Sequence, residues 1–146
     1  DGVPITEFGE FGLDVGQFDE PVGLALDANG RLYVADTWNQ RIQVFAELTP
    51  NQFAVVLNWD ISGWYGQSLD NKPFLTAGED GYLFAADPEG LRVLQFDLQG
   101  NIIRYWGDAE GSPNRFNLLA GIASDQQGGI WAVDAGTNLI LHYTLP

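Results

Sequence analysis

One block of residues recurs three times along this chain, and it limits the fold more tightly than any other feature. The first copy reads Gly23-Leu-Ala-Leu-Asp27-Ala-Asn-Gly30-Arg-Leu-Tyr-Val-Ala-Asp36 and continues at Arg41-Ile-Gln-Val-Phe45. The second reads Phe74-Leu-Thr-Ala-Gly-Glu-Asp-Gly81-Tyr-Leu-Phe-Ala-Ala-Asp87 and continues at Arg92-Val-Leu-Gln-Phe96. The third reads Gly121-Ile-Ala-Ser-Asp125-Gln-Gln-Gly128-Gly-Ile-Trp-Ala-Val-Asp134 and continues at Leu139-Ile-Leu-His-Tyr143. The aspartates that close the blocks, Asp36, Asp87 and Asp134, stand 51 and 47 residues apart. A unit of that length is one supersecondary element, too small to bury its own apolar face, and it becomes stable only by packing on its neighbours.

Each unit reads as four short strands, a to d from the inside of a wheel outward. Strand a (23–26, 74–77, 121–124) is rich in small residues, as a crowded centre requires. A tight turn follows, ending in Asn29-Gly30, Asp80-Gly81 or Gln127-Gly128, where glycine supplies the positive φ of a hairpin. Strand b (32–35, 83–86, 130–133) is apolar on both faces, which fits a sheet sandwiched between two others. Strand c (41–45, 92–96, 139–143) ends in an aromatic each time, and strand d follows at 53–59 and 102–106. The expected fold is therefore all-β: a β-propeller of three four-stranded antiparallel blades, covering about 10–59, 60–106 and 107–146.

The ends of the repeat frame are complementary. The chain closes after a c strand, while an orphan Ile5-Thr-Glu-Phe8-Gly9 lines up with Ile103-Arg-Tyr-Trp106-Gly107. Residues 3–9 thus read as an outer strand that completes a third blade by strand exchange. Three blades cannot close a ring, since propellers need about four to eight. Two resolutions follow: a homodimer of 3 + 3 blades under two-fold symmetry, or missing blades in a longer parent. The chain has no Met and opens on Asp1, which reads as a segment cut from something longer.

Charge narrows the partners. With 20 acidic against 6 basic residues the net charge is −14, a surface that repels phosphate, so nucleic acid is excluded. Anionic membranes are disfavoured for the same reason, and no apolar run approaches the roughly 18 residues of a membrane span. There is no cysteine, hence no disulfide or thiol chemistry. The acidic, cysteine-free composition and aromatic loops suggest an extracytoplasmic or membrane-tethered bacterial domain, with a cytoplasmic one as the alternative.

At Gly16-Gln-Phe18, Pro21-Val-Gly-Leu-Ala-Leu-Asp27, Gly30, Leu32-Tyr-Val-Ala-Asp-Thr37, Asn39 and Arg41-Ile-Gln-Val-Phe45 the chain resembles the NHL repeat. The second unit departs from the pattern with Asp87-Pro88-Glu89-Gly90, and the third puts Leu139 at the arginine position. The resemblance spans about Phe8 to Tyr143. It implies a propeller, usually of six blades, that most often binds proteins, RNA or glycans.

Asp36, Asp87 and Asp134 admit two readings: a ring of carboxylates around the wheel, or acceptors for backbone N–H groups in their own turns. Their recurrence at one place in every unit favours the structural reading. Arg41 and Arg92 likewise read as braces on neighbouring chain. Candidate ligand-binding residues lie on the d–a and b–c loops: Phe18, Asp19, Asn71, Asn114, Phe116 and Asn138, together with Trp38. That tryptophan stands where the NHL pattern carries glycine, and aromatic plates stack on sugars and anchor interfaces. No metal or cofactor is expected. Related propellers include metal-dependent lyases and lactonases, whose sites need carboxylates, amides or histidines converging on the channel. Here strand a offers Leu, Ala, Thr, Ile and Ser, and the one histidine, His142, lies on a c strand. The expected function is a non-catalytic module binding a protein or glycan and pairing with a second copy. The alternatives are a purely structural dimerisation domain and, third, a divalent-metal enzyme.

Overall fold

The computed structural model describes residues 2–62, 64, 72–78, 81–107, 115–125 and 127–145. Among them the strands are β1 (Pro21–Leu26), β2 (Leu32–Asp36), β3 (Arg41–Thr49), β4 (Gln52–Asp60), β5 (Leu75–Ala77), β6 (Leu83–Asp87), β7 (Arg92–Phe96), β8 (Ile102–Trp106), β9 (Leu119–Ser124), β10 (Gly129–Asp134) and β11 (Leu139–Thr144). They form three antiparallel sheets in chain order, β1-β2-β3-β4, β5-β6-β7-β8 and β9-β10-β11. The described residues hold no helix. The chain is an all-β propeller segment.

Local chemistry sets the hairpins. In the turn after β1, Asp27 Oδ1 accepts the N–H groups of Asn29 and Arg31, both at 2.9 Å. Asp125 makes the same turn after β9, accepting from Gln127 N at 2.8 Å and Gly129 N at 2.7 Å. Such side-chain turns compete well with extended strand and end it. The b–c turns use a different device. Gln40, Leu91 and Asn138, at equivalent places, take φ of 51°, 51° and 59°, which sends the chain back along the sheet at a modest backbone cost.

Blades pack face to face, and strand alternation decides which side chains meet. Tyr33, Ala35, Ile42 and Val44 of the first blade bury against Leu83, Ala85, Leu94 and Phe96 of the second. On its other side the second blade turns Phe84, Ala86 and Val93 to Leu119, Ile130 and Ala132 of the third. At the inner end of that seam Ser124 N donates to Thr76 Oγ1 at 3.0 Å, and Ser124 Oγ donates to Ala77 O at 2.6 Å. Burial of β6 on both faces follows directly from this sandwich.

The third sheet has three strands among the described residues, with β11 at its outer edge. Residues 3–9, expected to complete it, do not pair with β11 within the chain. The second blade stands between them, so the segment lies on the first blade instead. Its Phe8 ring is 5.0 Å from Phe45 and 5.2 Å from Phe53, and Thr6 Oγ1 donates to Asn51 O at 3.0 Å. The Phe8–Phe45 contact has counterparts at Trp59–Phe96, 5.7 Å, and Trp106–Tyr143, 5.9 Å. An outer-strand aromatic of one unit therefore caps the c-strand aromatic of the next, and Phe8 occupies that place for the first blade.

Candidate functional site

The b–c turns and d–a loops form one rim, and the three repeat aspartates organise it. Asp36 is fully buried. It accepts from Asp19 N at 2.8 Å, Asn39 Nδ2 at 2.9 Å, Arg41 Nε at 2.7 Å and Gln43 Nε2 at 3.1 Å. Arg41 spends its remaining N–H groups on Leu13 O at 2.7 Å and on Asp14 O and Gln17 O, both at 2.9 Å. One buried ion pair thereby holds the loop preceding β1 against the turn after β2.

Asp87 repeats half of this, accepting from Gly90 N at 3.0 Å and Arg92 Nε at 2.7 Å. The Arg92 guanidinium lies 5.4 Å from the Tyr105 ring centroid, a cation–π distance. Asp134 has no arginine beside it, because Leu139 stands there. Its carboxylate instead accepts Asn117 N and Leu118 N at 2.9 Å, Gly136 N at 3.0 Å and Thr137 N at 3.3 Å. Burial pushes the Asp134 pKa up, but these N–H donors outweigh it and hold the group below the usual carboxylate value. All three carboxylates are thus engaged with their own turns and loops.

Trp38 is half exposed at the rim of the first blade. Its backbone N–H donates to Asp19 O at 3.1 Å, which fixes the turn that carries the indole. Glu20 accepts from Lys72 Nζ at 2.8 Å. The Lys72 bond, with a smaller contribution from the Trp38 side chain, keeps the Glu20 carboxyl low against a little desolvation. Trp38, Glu20 and Lys72 thus form a polar and aromatic line from the first blade towards the second.

The remaining rim candidates separate sharply. Asn138 is exposed, and its left-handed backbone makes it the pivot of its turn. Asp19 is bound through its backbone on both sides. Phe18 is partly buried, 5.6 Å from the Phe45 ring. Phe116, expected on the ligand face, is buried: it packs 6.0 Å from Tyr143 and close over Gly107, whose missing side chain makes room for the ring. That corrects its assignment as a ligand contact. Asn71 and Asn114 lie outside the described residues.

Two features escaped the sequence reading. On the open side of the third blade, His142 stacks on Trp131 at 4.1 Å with a 6° interplanar angle, and its Nε2 lies 2.9 Å from Asp125 Oδ2. On the open side of the first blade, an apolar groove of about 430 Å³ runs between Phe8, Phe18, Pro21, Leu24, Leu32 and Val34. Among the described residues no group of three His, Asp or Glu side chains is placed to hold a metal ion.

Residues 18–45 match the family model of the NHL repeat. The protein brain tumor of Drosophila melanogaster is 30% identical across 69% of this chain. A B-box type zinc finger protein of Caenorhabditis elegans is 59% identical over 39 residues, 27% of this chain. The chain spans only 14% and 5% of those two proteins. Virginiamycin B lyase from Staphylococcus aureus superposes with a TM-score of 0.56 at 17% identity, covering 86% of this chain and 41% of that one; a likeness at that identity shows the fold alone. Motif, relatives and blade geometry agree: the chain belongs to the NHL-repeat β-propeller proteins.

Proposed function

We propose that this chain is a non-catalytic propeller segment that recognises a protein or glycan through its loop rim and assembles with a second copy of itself. The observation that carries the recognition half is Trp38. Its indole is half exposed on a turn pinned by a backbone hydrogen bond, and the Glu20–Lys72 pair lies beside it. A rigid aromatic plate flanked by polar groups suits stacking on a sugar ring or anchoring an interface at little entropic cost. The net charge of −14 favours neutral or cationic partners over phosphate.

The non-catalytic half is supported by how the acidic groups are used. Asp36, Asp87 and Asp134 spend their lone pairs on N–H donors of their own rim, and His142 is stacked on a blade face. No nucleophile and base stand together among them. A glycan and protein array probed with the chain and with Trp38→Ala tests the proposal. Loss of the hits in the variant, with unchanged circular dichroism and mass, is the expected result; retained binding overturns the rim reading. Stoichiometric divalent metal in protein purified without chelator would instead favour the enzyme reading. A second function, structural dimerisation within a larger parent, draws on the apolar side faces of the outer blades. It predicts self-association without any array hit.

A further inference from the structure

Twice within this chain an arginine sits between an aromatic ring and a carboxylate. The Arg31 guanidinium lies 5.8 Å from the Tyr33 ring centroid, with its Nε 2.7 Å from Asp27 Oδ2. Arg92 lies 5.4 Å from the Tyr105 centroid, with its Nε 2.7 Å from Asp87 Oδ2. The rim around Trp38 carries the same aromatic and acidic parts without the cation. Its indole is 52% exposed, on a turn that acidic residues flank on both sides. On one side Trp38 N donates to Asp19 O at 3.1 Å. On the other, Ile61 N donates to Gln40 O at 2.7 Å, and Asp60, the residue before it, stands opposite Arg41 in the β3–β4 ladder. These groups all belong to one blade and its rim.

Hydrogen-bond use shows what a ligand here must bring. Asn39, Arg41 and Gln43 turn their side-chain N–H groups inward, to Asp36 and to carbonyls of the loop before β1. Lys72 is held by Glu20 at 2.8 Å. By contrast, the carboxylates of Asp14, Asp19 and Asp60 have no hydrogen-bond or ion-pair partner among the described residues; Asp14 and Asp60 are exposed, and Asp19 partly so. An ionised carboxylate can only accept. A neutral sugar stacks on an indole but leaves these charges unmatched, and phosphate is repelled by them. A guanidinium answers both features: its plane is weakly hydrated and stacks on the ring, while its N–H fork pairs with carboxylates.

We propose that Trp38 takes an arginine from a basic segment of a partner protein, the guanidinium lying on the open indole face with its N–H groups towards Asp19 and Asp60. This rests on the reading of the Trp38 rim as a recognition surface, and it names the partner's chemistry. A fluorescein-labelled peptide of alternating glycine and arginine tests it by fluorescence anisotropy at low and physiological salt, beside counterparts with lysine or glutamine in place of arginine. The arginine peptide is expected to bind most tightly, the lysine peptide more weakly and the glutamine peptide not at all. Trp38→Ala should weaken the arginine peptide roughly 3–30-fold, and Trp38→Phe less. Asp19→Asn with Asp60→Asn should weaken it too and flatten its salt dependence. Unchanged circular dichroism is expected throughout, since none of these side chains is in the core. Equal affinity of the chain and Trp38→Ala for the arginine peptide, or equal binding of the glutamine peptide, overturns the arginine assignment. Failure of the arginine peptide alongside array hits that Trp38→Ala abolishes overturns this proposal and leaves the rim reading standing; glycan hits of that kind make the ligand a sugar. Failure of the peptide with no hit that depends on Trp38 overturns both.

Discussion

Alanine at the three repeat aspartates separates the structural role of these carboxylates from a ligand-binding one, because their partners differ. Asp36→Ala removes the shared acceptor of four donors and strands Arg41, whose side chain is only 10% exposed. Breaking a buried ion pair from one side leaves an uncompensated charge and costs about 3–5 kcal/mol. Arg92 is 27% exposed and rests on the Tyr105 ring, so water can reach it once Asp87 is gone; about 2 kcal/mol is expected there. Asp134 serves backbone N–H groups and no cation, and the exposed turn at 135–138 lets water replace part of what is lost, for roughly 1–3 kcal/mol.

For a chain of this size each kcal/mol moves the melting temperature by about 2–4 °C. Asp36→Ala should therefore drop it by roughly 6–20 °C and rank first. Asp36→Asn sharpens the test, since it keeps the shape but removes the charge that faces Arg41 and, with its oxygen left to Asn39, Arg41 and Gln43, turns an NH2 group towards the Asp19 N–H donor. It should cost about as much as alanine. Urea unfolding followed by tryptophan fluorescence, at one protein concentration, gives the comparison. If the aspartates formed a ring poised for a ligand, removing one would relieve like-charge repulsion. A neutral or stabilising Asp36→Ala, or a near-native Asp36→Asn, would refute the reasoning.

Two further expectations follow from local geometry. Gly107 has φ of 107°, and a Cβ there would meet the Phe116 ring at 2.5 Å and Leu91 O at 2.9 Å, whereas Gly128, at φ 78°, has nothing within 4 Å of that position. Gly128→Ala should cost about 1 kcal/mol from backbone strain alone, and Gly107→Ala roughly 2–4 kcal/mol once overpacking is added, both read from urea midpoints. Acid stability follows the carboxylates held low in the folded chain. Burial raises Asp27 but its bonds to Arg31 and Asn29 win, and Asp134 is lowered by its N–H donors despite burial. A depressed folded pKa gives stability that is present above the unfolded value, about 3.9, and lost as pH falls through the folded one. In about 0.15 M salt, which screens the net charge, the urea midpoint should hold from pH 7 to 5 and fall below about pH 4. Asp134→Asn should flatten that fall, and an unchanged profile would count against the assignment.

The blades were legible because three independent local signals coincide in each unit: the positive-φ glycine, the doubly apolar b strand, and the aspartate that closes it. At Gly30 and Gly128 the turn appears where the sequence places it, with φ of 77° and 78°. The rim was harder. Phe116 reads as a loop aromatic, yet whether it points outward depends on Tyr143 of strand c and on Gly107 of the preceding outer strand. A signal was present: Phe18 and Phe116 each stand nine residues after a glycine, Gly9 and Gly107, that follows an outer-strand aromatic. That recurrence marks packing, not recognition. The loss of arginine at position 139 gave no warning that Asp134 would find four backbone donors instead, because loop N–H directions are not written in side-chain identity. Nor did the pairing of His142 with Asp125 follow from the repeat, whose other units carry Val44 and Gln95 at that place.

Apolar side chains and the recognition groups lie on different parts of the blades: Leu24, Trp131 and Val133 on the sides, Trp38 with the Glu20–Lys72 pair on the rim. The b–c turns of all three blades emerge in one direction, since each blade repeats the same strand order. If the chain assembles with a second copy as proposed, contacts made through the sides would leave the indole of each copy free. Two identical sites on one particle would then engage a repetitive or multivalent partner far better than one, because the second contact forms at high effective concentration.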